Sequence, residues 1–155
     1  MSIELVTVTK EDIKTLWEMQ IEAFRGLLEI YQDYDISPGA EGVDKVEARF
    51  NQPWTTYYFI VEGDTRVGAV RVVDKKDGSR KRISPIFVMP EYRGRGIAQA
   101  AILALEKIHG ADSWCLDTIL QEKGNCHLYE KMGYHRTGRI ENINERMDIV
   151  FYEKD

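Results

Sequence analysis

The chain has 155 residues, of which 43% are hydrophobic and 30% charged, with a formal net charge of −5 and a pI near 5.3. That length suits one domain and that balance an ordinary globular protein, while an acidic surface argues against general nucleic-acid binding, which needs clustered cations. The longest apolar run, Ala100–Leu105, spans six residues, far too short to cross a membrane, so neither nucleic acid nor membrane is expected as a partner.

The opening residues, Met1 to Leu5, have neither a cationic start nor an apolar stretch, so no export signal is expected. With Cys115 and Cys126 as the two cysteines, the expected setting is a reducing cytoplasm with both thiols free. Residues 3–8 predict a short strand, and Thr9-Lys10-Glu11-Asp12 a capping box. Behind it, Ile13, Leu16, Trp17, Ile21, Phe24, Leu27, Leu28 and Tyr31 form one apolar stripe on a helix of about five turns. Residues 32–42, with Asp, Ser, Pro and Gly, predict a loop. Val43, Val46 and Phe50 mark a second short helix, closed by Pro53.

The β-branched and aromatic run at 55–61 predicts a strand. Glu62-Gly63-Asp64 turns it into a second at 66–73, and Asp77-Gly78 leads to a third at 82–88. A glycine-rich turn at 93–96 opens an apolar helix at 97–109, followed by a strand at 114–119. A short helix at 124–132 ends at Gly133. Two last strands, 134–140 and 146–152, join around Glu141-Asn142-Ile143-Asn144. The order β-α-α-β-β-β-α-β-α-β-β mixes hairpins with one crossover unit. It predicts a single mixed α+β domain over residues 1–155, with a central, mostly antiparallel, twisted sheet of about seven strands flanked by about four helices.

The most informative stretch is the strand-to-helix turn. The first amides of a helix lack partners and carry partial positive charge. Gly94 and Gly96 remove side chains that would block an anion, and Arg93 and Arg95 add charge. This is a phosphate cradle in physical terms. A Rossmann fingerprint would need Gly or Ala at Gln99 and a doubled set of crossovers, and a Walker A loop would need Gly-Lys-Ser/Thr. Neither is present. A third pattern, Arg/Gln-x-x-Gly-x-Gly/Ala, is met at each fixed position by Arg93-Gly94-Arg95-Gly96-Ile97-Ala98. It follows a strand ending in Phe87-Val88-Met89-Pro90 and precedes Leu128-Tyr129-Glu130-Lys131-Met132-Gly133-Tyr134. In motif and element order the chain resembles the GNAT N-acetyltransferase superfamily over essentially its whole length.

The resemblance implies acetyl-CoA as co-substrate and an acetyl group moved to a primary amine of a small molecule or peptide by direct attack. It implies CoA binding by Ile86, Phe87, Val88, Arg93, Gly94, Arg95, Gly96, Ile97, Ala98, Asn125 and Tyr129, with the Val88 N–H as oxyanion donor and Tyr129 as general acid. Many members carry an Asn where this chain has Glu122; Asn125, one turn before Tyr129, is the expected substitute, and Glu122 is a candidate base. Pro85 cannot donate to a ladder, so the 82–88 strand is expected to pull away from the 114–119 strand, and the gap to take the pantetheine arm.

No His, Cys and carboxylate set has metal-ligand spacing, so no metal is expected. Adjacent Cys126 and His127 do not face each other on a helix. Carboxylates gather at Glu29, Asp33, Asp35, Glu41, Asp44 and Glu47, interleaved with Tyr31 and Tyr34. Such a rim would attract a cationic amine, with Phe24, Tyr31 and Asp33 as candidate acceptor contacts. The last strands are a candidate homodimer edge. Two other readings stay open: a catalytically silent acyl-CoA-binding sensor or interaction module, and a nucleotide-binding protein sharing only the phosphate turn.

Overall fold

The computed structural model describes residues 2–155. The chain forms seven strands: β1 (Ile3–Thr7), β2 (Thr55–Glu62), β3 (Thr65–Val73), β4 (Lys81–Val88), β5 (Trp114–Ile119), β6 (His135–Asn144) and β7 (Met147–Lys154). They form one sheet in the order β1-β2-β3-β4-β5-β7-β6. All pairs are antiparallel except β4 and β5. The helices are α1 (Ile13–Tyr31), α2 (Val43–Phe50), α3 (Ile97–His109) and α4 (Lys123–Lys131). No helix among the described residues is long and apolar enough to cross a membrane.

The Thr9–Asp12 capping box forms, with the Asp12 carboxylate accepting from the Thr9 hydroxyl at 2.9 Å and from its N–H at 3.4 Å. It aims α1 across one face of the sheet. There Ile13, Leu16 and Ala23 of α1 and Val46 of α2 pack with Tyr57, Phe59, Ala69 and Phe87. On the opposite face Ile97, Ala101, Ile102 and Leu105 of α3 meet Tyr58, Ile60, Val70, Val72 and Trp114. Helices on both faces explain why β2 reads as an unbroken apolar run: its alternate side chains enter two cores, and both are buried. The crossover β4–α3–β5 supplies the parallel pair.

The terminal hairpin departs from expectation. Residues 141–144 are strand, and the chain reverses at Glu145–Arg146. Glu141 and Asn142 pair with Ile149 and Asp148. The turn-forming character of the asparagines is used inside the strand end: Asn142 Nδ2 donates to Asn144 O at 3.0 Å and to Asp148 Oδ1 at 2.9 Å, and the Arg146 N–H donates to Asn144 Oδ1 at 2.8 Å.

Two features shape the end of β4. Between Val70 and Val72 its register against β3 slips, so that Ser84 and Pro85, joined by a cis peptide bond, form a bulge opposite Arg71. The Arg71 Nε donates to the Ser84 carbonyl at 2.5 Å, satisfying a group that the bulge removes from the ladder. Further along, a Cβ on Gly68 would lie 2.1 Å from the Phe87 carbonyl oxygen, so only glycine lets β4 pass. Gly68→Ala is expected to lower stability by about 1–3 kcal/mol, the range for forced overpacking; urea denaturation of the variant against the wild type measures it.

Candidate functional site

The parallel strands β4 and β5 pair only at Lys81↔Trp114 and Arg82↔Cys115. Beyond the bulge they part. The Met89 N–H donates to the Val67 carbonyl at 2.8 Å, and successive amides of a strand point to opposite edges. The Val88 N–H therefore faces away from β3, toward the gap, as does that of Ile86 in the same register phase. Two cavities open along the gap, of about 500 Å³ and about 490 Å³. Phe24, Leu27, Ile86, Asn125 and Tyr129 line both, so the two meet at a shared wall.

The first cavity ends at the glycine turn. Gly94 and Gly96 both have φ of 77°, a left-handed conformation that glycine adopts without strain. Ala100 is the first residue whose amide bonds back into α3, to Gly96 O at 3.1 Å. The Ile97, Ala98 and Gln99 amides precede it, in the orphan positions of a helix start, and all three residues line the cavity with Gly94 and Gly96. Ile86, Phe87, Val88 and Arg93 complete this part of the wall.

The two arginines do something other than present free charge. Arg93 donates through Nε to the Val88 carbonyl at 2.9 Å and through Nη2 to the Ala23 carbonyl of α1 at 2.6 Å. It ties the turn, β4 and α1 together. Arg95 lies outside the cavity wall and pairs with Glu62 at 3.0 Å. Anion attraction at this end therefore rests mainly on backbone amides and the α3 dipole.

Tyr129, on α4, is buried in the shared wall, with Tyr134 and Tyr152 at ring-centroid distances of 6.0 and 6.3 Å. Burial, then the nearby Asp117 and Cys126, push its phenol well above the usual tyrosine range, so it holds its proton at neutral pH. Glu122, at the N-cap of α4, lines the first cavity. Its carboxylate accepts from the Tyr31 hydroxyl at 2.5 Å. Tyr31 lies outside both cavities, buried at the end of α1 against Met147 and Ile149. Burial, then Glu122, push its hydroxyl up to about 12. Tyr31 thus serves as a donor to Glu122 instead of forming an exposed rim. Cys126 is buried and directs Sγ toward the Ile119 and Leu120 carbonyls, each at 3.8 Å, while His127 is exposed.

The second cavity contains Phe24, edge-on to Phe87 at 5.8 Å, and Asp33. The acidic rim expected across residues 29–47 does not assemble. Glu41 accepts both Arg49 guanidinium nitrogens at 2.6 Å and also the Gln20 amide, a network that packs α1 against α2. Of the carboxylates named in that stretch, Asp33 alone lines either cavity. It is 8% exposed, and its Oδ1 is buried with no hydrogen-bond partner. Burial raises its carboxyl above the usual range. Among the described residues no group of His, Cys, Asp and Glu is assembled to hold a metal ion.

Gly68 and Arg71 position β4 and were not singled out from sequence. The available signal was an arginine set within the apolar run Val67–Val73. Gln99, Tyr92 and Leu128 also join the first cavity.

Comparison with known proteins adds the following. The model of the acetyltransferase (GNAT) family matches residues 15–134. No curated protein sequence matches the chain. Among solved structures, a spermidine N-acetyltransferase from Vibrio cholerae, determined with CoA and spermine, superposes with a TM-score of 0.74 at 17% identity, covering 97% of this chain and 93% of that one. The Salmonella typhimurium acetyltransferase that modifies the N-terminal serine of ribosomal protein L7/L12 gives 0.75 at 11% identity, covering 98% and 94%. The Escherichia coli ribosomal-protein-S18-alanine N-acetyltransferase gives 0.71 at 13% identity, covering 97% and 92%.

A carboxyl whose folded value is raised costs stability when ionised and costs none when protonated in both states. Asp33→Asn is therefore expected to melt above the wild type at pH 7. The gap should close as pH falls toward about 4, the ordinary carboxylate range. Thermal unfolding across that interval measures both.

Proposed function

Because the chain belongs to the acetyltransferase (GNAT) family, we propose that it moves the acetyl group of acetyl-CoA to a primary amine of a small molecule or peptide by direct attack. The observation that carries this reading is the Val88 N–H facing an unpaired gap in the wall of the first cavity, with the glycine turn at one end and Ile86, Asn125 and Tyr129 in the wall shared with the second.

In this reading the first cavity takes CoA. Its pyrophosphate sits on the amides at the start of α3, where the helix dipole and unpartnered N–H groups favour an anion. The extended pantetheine arm, with two amides, pairs with the free edge of β4 at Ile86 and Val88 as an added strand would. Asn125 offers a side-chain amide to the same arm. The thioester then lies by the shared wall, and the acceptor approaches from the second cavity.

The amine nitrogen attacks the carbonyl carbon as a neutral nucleophile. The carbonyl oxygen gains negative charge, and the Val88 N–H donates to it. Such an aimed donor is worth about 2.7–4 kcal/mol of barrier. Collapse breaks the carbon–sulfur bond, and Tyr129 donates its proton to the departing thiolate. The amine proton passes to Glu122, directly or through water, while Tyr31 holds that carboxylate in place. The products are an N-acetyl amide and CoA thiol, and the proton left on Glu122 passes through water to the Tyr129 phenolate, restoring both side chains. Burial keeps Tyr129 protonated at neutral pH, so its proton is in place when the thiolate forms.

The reading is tested by binding and turnover together. Acetyl-CoA at about 100 times its Kd should stabilise the fold by roughly 2.7 kcal/mol, and ATP or NAD should not. A thiol reagent should detect CoA release with an amine panel. Stabilisation without release would assign the chain as an acyl-CoA-binding module; stabilisation by ATP or NAD alone would overturn the reading altogether. Tyr129→Phe should lower kcat about 100-fold, as expected on losing a general acid, with little change in the Kd for acetyl-CoA by calorimetry.

A further inference from the structure

The charges around the second cavity do not balance. Five ionic side chains line it: Asp33, Arg82, Asp117, Arg139 and Glu141. Arg82 pairs with Asp117 at 2.8 Å. Arg139 pairs with Glu141 at 3.3 Å and lies 4.1 Å over the Phe151 ring. Both arginines are thereby paired with carboxylates of the same wall. Asp33 has no cation, and its Oδ1 has no partner of any kind.

Its neighbours are committed elsewhere. The Ile36 and Ser37 N–H groups donate to the Asp33 main-chain oxygen, at 3.1 and 2.8 Å, not to its carboxylate. The Ser37 hydroxyl accepts from the Gly39 N–H at 3.0 Å. The position itself is enforced. Gln32 ends α1 in a left-handed conformation (φ 55°, ψ 38°), and its N–H donates to the Leu28 carbonyl at 2.8 Å, which turns Asp33 inward. A buried carboxylate without a cation is costly; Oδ1 is closed off from solvent, so a ligand in this cavity would bring the missing cation to the carboxylate through its other oxygen. The apolar surfaces of Phe24, Ile36 and Ile143 in the same cavity suit an alkyl body.

We propose that Asp33 anchors a second cationic group of the acceptor, so that this site takes diamines and related polycationic amines: one amine is acetylated at the shared wall and another, as ammonium, pairs with Asp33. The proposal rests on the amine-acceptor reading above and narrows it to a substrate class. Removal of one hydrogen-bonded partner of a charge corresponds to about 10- to 100-fold in affinity.

The test compares α,ω-diaminoalkanes with n-alkylamines of matched length. Calorimetric binding to the CoA-loaded protein should favour the diamines by about 10- to 100-fold at the best length. In Asp33→Asn that preference should collapse, and a parallel turnover assay should show the same loss as a rise in KM for the diamine. ω-Amino acids of the same length, with a carboxylate in place of the distal ammonium, should bind worst to the wild type. Equal binding of the two amine series, no binding of either, or a diamine preference that survives in Asp33→Asn would each overturn the anchor. The wild-type comparison decides even if the variant does not fold. Amine binding without CoA release would instead count against acetyl transfer, and leaves the anchor judged by binding alone.

Discussion

The proposed site depends on β4 and β5 ceasing to pair after Arg82. A parallel pair normally satisfies both edges of each strand, and a closed ladder here would leave no backbone group for a ligand. The bulge at Ser84–Pro85 turns β4 aside, and the edge from Ile86 to Val88 is left with free amides facing a gap. One local irregularity therefore supplies the strand-like surface and the two cavities along it, with Val88 in the wall of the first and Ile86 where they meet. The gap lies between the carboxyl-terminal halves of the two parallel strands, at the end where the crossover through α3 also places that helix's N-terminus.

An opened sheet has to be held open, and arginine side chains do most of that work. Arg71 satisfies the bulge carbonyl from within β3. Arg93 spans from the turn to the Val88 carbonyl and on to Ala23 of α1, so the residue with the free amide has its own carbonyl restrained. Gly68 lets the end of β4 approach more closely than any side chain would allow. These contacts orient the backbone before any ligand arrives, which is what the role proposed for the Val88 N–H requires of a donor that acts without reorganising.

The net charge of −5 is distributed by the same economy. Arg49, Arg82, Arg95 and Arg139 each sit against a carboxylate. Along the gap, what is left is local: orphan amides at the head of α3 at one end, and the Asp33 carboxylate, in no ion pair and with its Oδ1 unpartnered, at the other. The proposed site is thus polarised, with orphan amides on one side of the shared wall and a carboxylate without a cation on the other, although neither end is signalled by the overall charge.

Much of the site was legible because it is written in local, short-range chemistry. The turn from Arg93 to Ala98 carries its meaning in glycine conformations and helix-start amides, which contiguous residues specify. Proline at 85 announced the parting of the strands because a missing N–H is a property of one residue. The apolar periodicities of α1 and α3 and the β2 run placed both cores. The side-chain roles were not legible in the same way. Arg95 was expected to face phosphate and faces Glu62; Tyr31 was expected on a rim and is buried against β7 as a donor to Glu122; Glu41 was expected to attract a cation and already holds Arg49. In each case the partner lies on another element: Glu62 on β2, Glu122 ahead of α4, Arg49 on α2. Long polar side chains choose partners by proximity in the folded chain, and desolvation decides whether a charge stays free. The sequence by itself therefore determined the element order, the phosphate-type turn and the break in the sheet. Only the tertiary structure decided which charges cancel, and so left Asp33 as the one unpaired ionic group in the wall of the second cavity.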